Sequence, residues 1–81
     1  MILKRLGAHA HVLECQNGAL LFSYERLTAL RYCGRQTFRA PDAIYSIATR
    51  AHLTAFGRGA MPDKLSRSIF DNMARVVLLG G

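Results

Sequence analysis

Three groups of residues have side chains able to do chemistry. His9-Ala10-His11 places two imidazoles on one face of an extended strand, with Cys15 on the same face. With His52 or Cys33 as a fourth ligand, the set has the donor types of a zinc site. It has no C-x-x-C and no second closely spaced ligand pair, so the signal is weak and packed or solvated histidines are the favoured reading. No metal and no other cofactor is expected. Ser23 and His52, with Asp42 or Asp71, have the residue types of a nucleophilic triad, but no glycines flank Ser23 as a nucleophile elbow requires. Gly57-Arg58-Gly59 lacks the lysine and the strand-to-helix setting of a phosphate-cradling loop. With five carboxylates in 81 residues, no paired acids stand in an arrangement for general acid and base work. No catalytic residue is assigned, and the expectation is a protein that is not an enzyme.

The third group is the arginines. Eleven Lys and Arg oppose five Asp and Glu, a formal charge of +6, and only Lys4 and Lys64 among the eleven are lysine. The planar guanidinium makes paired hydrogen bonds to carboxylate and phosphate. The expected partner is therefore anionic: nucleic acid, or an acidic protein surface. The bland account is charge that keeps a small domain soluble. Arg31-Tyr32, Arg35 and Phe38-Arg39 on one hairpin form the best constellation, a cationic surface with aromatics able to stack on bases. Against it stands the reading of Tyr32 and Phe38 as core and the arginines as edge guards. Arg50 and Arg58 extend the surface, so the partner-binding residues proposed from sequence are Arg31, Arg35, Arg39, Arg50 and Arg58.

These residues need a scaffold, and Ala19 to Cys33 organises it. Asn17-Gly18 before this stretch is a strong two-residue hairpin signal. It pairs Cys15 with Leu20, Leu13 with Phe22, and His11 with Tyr24. One face is then His11, Leu13, Cys15, Leu20, Phe22 and Tyr24, expected to meet the core; the other holds Ala10, Val12, Glu14, Gln16, Ala19, Leu21 and Ser23. Gly34-Arg35 reads as a type II′ turn that pairs Arg31 with Phe38. The faces then come out mixed, so either this turn is longer than two residues or the hairpin lies at an edge. Met1 to Gly7 is a further short strand or an arm, and Gln36 to Ala40 completes a meander that Pro41 stops.

After Pro41 the period becomes helical. Ser46 or Thr49 is the N-cap of a helix running to about Phe56, with Gly57 and Gly59 as its left-handed stop. Pro62 opens a second helix, with Leu65, Ile69, Phe70, Met73, Val76 and Val77 as its apolar stripe. Arg67, Asp71 and Arg75 form a solvated ion-pair row on its other face, and the apolar tail from Val76 to Leu79 is expected to finish inside the core. The expected fold is α+β: one domain over residues 1–81, an antiparallel meander of about four strands, and two C-terminal helices on one face. Its core is Leu13, Leu20, Phe22, Leu30, Ile47, Phe56, Leu65, Ile69, Phe70 and Met73. No apolar run approaches the roughly 20 residues that span a bilayer, and no signal-peptide pattern opens the chain. A cytoplasmic monomer with reduced Cys15 and Cys33 is expected.

Phe22-Ser23-Tyr24, Thr28-Ala29, Gly34-Arg35, the run from Tyr45 to Leu53, and Met61-Pro62 together resemble a family of small phage and prophage proteins. That family's pattern is FSY, a turn, a strand, a glycine-arginine turn, then YS-x-T-T-x-x-H entering a helix. Ala48 stands where the pattern has its first threonine, which removes one capping bond. The resemblance covers roughly residues 20 to 62. In size and style the chain is similar to type I-C anti-CRISPR inhibitors. The resemblance implies a protein of the host cytoplasm that binds the backbone subunits of the CRISPR Cascade complex and blocks target DNA. It carries no active-site residues, and it implies that Tyr24, Tyr45 and His52 are internal struts.

Overall fold

In a computed structural model of the protein, the described residues are 2–24, 26–32, 36–41 and 46–80. Five antiparallel strands follow the chain as a meander: β1 (Ile2–Gly7), β2 (Ala10–Cys15), β3 (Gly18–Ser23), β4 (Arg26–Tyr32) and β5 (Gln36–Arg39). Helix α1 (Ile47–Phe56) comes next. A two-residue strand β6 (Asp63–Lys64) then adds in parallel to β5, and α2 (Arg67–Gly80) ends the chain. The α+β class and the meander are as expected from sequence; among the described residues there are six strands, one of them only two residues long, where about four were expected.

The helices do not share a face. Val12, Ala19, Leu21 and Ala29 pack with Leu53 and Phe56 of α1. Leu20, Leu30 and Ala40 pack with Phe70, Ala74 and Val77 of α2, with Leu13, Phe22 and Phe38 beside them. Strand side chains alternate between faces, so the neighbours Leu20 and Leu21 anchor opposite cores. The expected division of β2 and β3 into two residue sets is correct. The inference that only one set is buried is not, because the smaller set meets a helix too.

Register explains the other differences. In the β2–β3 hairpin Cys15 faces Gly18, Leu13 faces Leu20 and His11 faces Phe22. The loop is thus Gln16-Asn17, and every expected pair shifts by two residues, which preserves the faces. Gly18 belongs to the strand, with φ at +153°, and a Cβ there would collide with the Arg31 carbonyl oxygen on β4. Its glycine freedom serves close strand approach rather than the turn. In the β4–β5 hairpin Tyr32 faces Gln36, Arg31 faces Thr37 and Leu30 faces Phe38. Three residues therefore join the strands, the longer of the two turns considered from sequence, and the one-residue slip turns mixed faces into consistent ones. The residues of that turn, Cys33, Gly34 and Arg35, lie outside the described residues, as do Asp42 and Tyr45. Cys15 is free and half-buried.

Ser46 caps α1: the Thr49 amide donates to its hydroxyl oxygen at 3.1 Å. Thr49, His52, Leu53 and Phe56 are the buried positions of α1, one stripe at helical spacing. Ile47 falls off that stripe and is 91% exposed. The second helix begins at Arg67, not Pro62. Pro62 is buried, its carbonyl accepts a hydrogen bond from Arg39 Nη1, and the Leu65 amide donates to the Arg39 carbonyl at 3.2 Å. These bonds hold residues 62–65 extended against β5. Phe70, Ala74 and Val77 then face inward, which leaves Ile69 half-exposed. Of the apolar tail only Val77 is buried, while Val76, Leu78 and Leu79 are exposed. Leu78 and Leu79, with Leu20, Phe22, Leu27, Ala74 and Arg75, line an apolar groove of about 510 Å³.

Candidate functional site

Three basic residues of the sheet, Lys4, Arg31 and Arg39, lie on its α1 face. Lys4 pairs with Val12 across the β1–β2 ladder and so lies on that face; Arg31 and Arg39 follow Ala29 by alternation and by cross-strand pairing. A groove of about 180 Å³ runs between β1 and α1, walled by Lys4, Arg5 and Leu6 on one side and Ala55 and Phe56 on the other, with Val12, Glu14 and Arg31 as its remaining lining. Glu14 is the one acid among these residues, and Lys4 Nζ holds it at 3.0 Å.

Arg31 is built into the fold as well as into the groove. Its Nη2 donates to the Phe56 carbonyl at 2.9 Å, and its guanidinium carbon sits 4.6 Å from the centroid of the Phe56 ring. A cation at a helix C-terminus satisfies a carbonyl that has no partner within the helix and meets the negative end of the dipole. Burial lowers the Arg31 pKa from its ordinary value, and the nearby positive charge of Arg58 lowers it further, while Glu14 raises it. The charge of Arg58 thus acts on Arg31 although 27 positions separate their numbers.

Arg58 occupies a position that glycine normally takes. α1 ends with the Arg58 amide donating to the Ala55 carbonyl at 3.2 Å and the Gly59 amide donating to the Thr54 carbonyl at 2.9 Å. This is the Schellman arrangement, whose residue after the cap is left-handed. That residue is Arg58, with φ at +58°. Gly57, expected from sequence to be part of the left-handed stop, has φ at −81°. It is glycine for another reason, since a Cβ there would meet the Ala60 carbonyl oxygen. An exposed arginine therefore sits in strained backbone, beside a like charge, at the end of the groove helix. Glycine at this position would relieve the strain; His9 and Tyr24 hold the same left-handed conformation, with φ at +59° and +52°.

The remaining sequence candidates are placed as follows. Arg39 is half-buried and engages Pro62. Arg50 is exposed on α1, and Arg35 lies outside the described residues. The hairpin constellation is not assembled: Phe38 packs toward α2, Tyr32 shares its face, and Arg31 and Arg39 are on the α1 side. Alternation in the observed register separates them.

Ser23 and His52 do come together, as no spacing in the sequence indicated. The Ser23 hydroxyl oxygen is 2.9 Å from His52 Nδ1 and 3.4 Å from Thr49 Oγ1. Both Ser23 and His52 are buried, and the bonds tie β3 to α1. Asp71 sits on α2 across the sheet, paired with Arg67 at 3.0 Å. The arrangement holds two elements together, as the resemblance implied for His52. Tyr24, by contrast, is half-exposed with φ at +52°, and its ring stacks on His9 at 4.9 Å. His9 lies in the turn before β2 rather than on the strand with His11, and among the described residues no three of His, Cys, Asp and Glu converge as a metal site. No helix among the described residues is long and apolar enough to cross a membrane.

No protein-family model, no curated protein and no solved structure matches this chain.

Proposed function

We propose that the protein is a non-enzymatic binding protein of a phage or other mobile element. On this reading it is an anti-CRISPR inhibitor that acts as a monomer in the host cytoplasm. It docks its basic α1 face on an acidic surface of the Cascade backbone subunits and so blocks target DNA. The observation that carries the binding role is the groove between β1 and α1, lined by Lys4, Arg5 and Arg31, with Glu14 held by Lys4 and the positive charge of Arg58 acting on Arg31. Clustered positive charge over low-dielectric walls raises the encounter rate with an acidic partner and fixes its orientation. The resemblance over residues 20 to 62 supplies the target.

The test is recovery of partners by the tagged protein from a host lysate, with and without nuclease, for wild type and for Arg50→Glu/Arg58→Glu. These two arginines are exposed, whereas Arg31 and Arg39 also hold the fold, so their replacement confuses binding with stability. A Cascade complex that survives nuclease and is lost in the double variant supports the reading; recovery unchanged in the variant overturns the surface.

A second reading, direct binding of nucleic acid, draws on the exposed His9–Tyr24 stack, which offers an aromatic platform on a chain of charge +6. Its signature is affinity for single-stranded DNA that falls steeply with salt. Absence of binding at low salt refutes it.

A further inference from the structure

β1 forms one margin of the sheet and, among the described residues, pairs with β2 alone. From Ile2 to Arg5 the ladder is regular, and the register slips only between Arg5 and Gly7. One row of backbone N–H and C=O groups therefore faces outward along this strand. The other margin is β6, two residues long, which leaves little ladder to extend. Ile2 to Leu6 are all exposed, Ile2 and Leu3 by more than half. Long open edges usually carry charge, proline or bulges that prevent pairing with another chain. The guards within Ile2 to Leu6 are Lys4 and Arg5, both positive. They repel a second copy, because antiparallel self-pairing brings Lys4 and Arg5 near their own counterparts. They attract a strand of opposite charge.

The faces of β1 add a pattern. Lys4 pairs with Val12 and lies on the α1 side, over the basic groove that Arg31 also lines. Leu3 pairs with Leu13 and lies on the α2 side, where it is exposed. Arg5 pairs with His11 and so lies on the same side as Leu3. A strand added beside β1 would present alternate residues to the cationic groove on one side and to Leu3 with Arg5 beyond it on the other.

We infer that β1 is a docking strand: an extended segment of a partner protein, with acidic and apolar residues in alternation, adds to its open edge. The acids lie over the groove toward Lys4 and Arg31, and the apolar residues lie against Leu3. The backbone ladder supplies affinity and the alternation supplies selectivity. The inference rests on the proposed basic-face binding role and names the kind of segment that face takes.

The probe is a ten-residue peptide alternating Glu and Val, added to isotope-labelled full-length protein while amide exchange is followed by NMR. Exchange of the outward amides of Ile2 to Leu6 should slow at least tenfold, and a Lys-Val peptide should leave it unchanged. Glu-Val peptides N-methylated at every second residue, made in both phases, keep the charge; the phase that blocks the ladder should bind at least tenfold more weakly. Lys4→Glu/Arg5→Glu should weaken binding as much, with exchange in β2 to β4 unchanged as a check on folding. Failure of the Glu-Val peptide to bind overturns the inference. So does binding indifferent to N-methylation in both phases, or self-association through β1 in size-exclusion chromatography. If the peptide fails while Arg50→Glu/Arg58→Glu still abolishes partner recovery, strand addition falls and the basic-face reading stands. If β1 is protected by the peptide but no Cascade complex is recovered, the docking strand stands and the target reading falls.

Discussion

Replacing Arg58 with glycine should make this protein more stable and a poorer binder. Arg58 holds φ at +58° in the left-handed position of the α1 terminus. For an L-residue with a Cβ that conformation costs roughly 1–2 kcal/mol, which glycine does not incur. Glycine loses more conformational freedom on folding, a cost of roughly 0.5–1 kcal/mol. The difference favours Arg58→Gly by about 0.7 kcal/mol, and removal of the like charge beside Arg31 acts in the same direction. For a domain of 81 residues this raises Tm by about 3–6 °C. Arg58→Ala is the control, since it removes the same charge but keeps the Cβ in the strained region. Thermal unfolding by circular dichroism, with urea melts for the midpoint, should rank Gly above wild type and above Ala. Partner recovery should be lost in both variants. A glycine variant no more stable than the alanine variant would refute the strain argument, and undiminished binding by both would remove Arg58 from the interface.

Leu20→Ala and Leu21→Ala should each cost about 2–4 kcal/mol in urea unfolding, because adjacent residues anchor opposite cores; a cost below about 1 kcal/mol for either would mean that its face is not packed. Gly18→Ala should lose more than about 1 kcal/mol through its clash with the Arg31 carbonyl, and wild-type stability in that variant would contradict the strand register. Ser23→Ala leaves His52 Nδ1 buried without its partner and should cost about 1–3 kcal/mol by the same melts, with a stability change near zero refuting the role of this bond in joining β3 to α1.

Local signals were legible wherever one short segment decides the outcome. The Ser46 cap and the end of α1 near Phe56 follow from a hydroxyl before a helical period and glycines after it. The meander follows from turn residues between β-rich runs, and the face sets of β2 and β3 survive a two-residue register error because side-chain direction has period two. Where distant segments compete, the sequence was a poorer guide. Pro62 and Asp63 read well as a helix start, but hydrogen bonds to and from Arg39 hold that stretch extended and α2 begins at Arg67.

The basic site shows the same division. Composition alone carried the excess of arginine and with it the expectation of an anionic partner, since charge is a sum that needs no geometry. Which arginines act together is a question of register and of loop closure. A single-residue slip in β4–β5 parts Arg31 from Phe38, and the left-handed turn after α1 carries Arg58, whose charge acts on Arg31. The Ser23–His52 bond likewise joins residues 29 positions apart. The alternation of the strands and the spacing of the helices were already written in the residues. Whether both faces of the sheet would be covered depended on where α1 packed, because Val12, Ala19, Leu21 and Ala29 become core only once it lies over them.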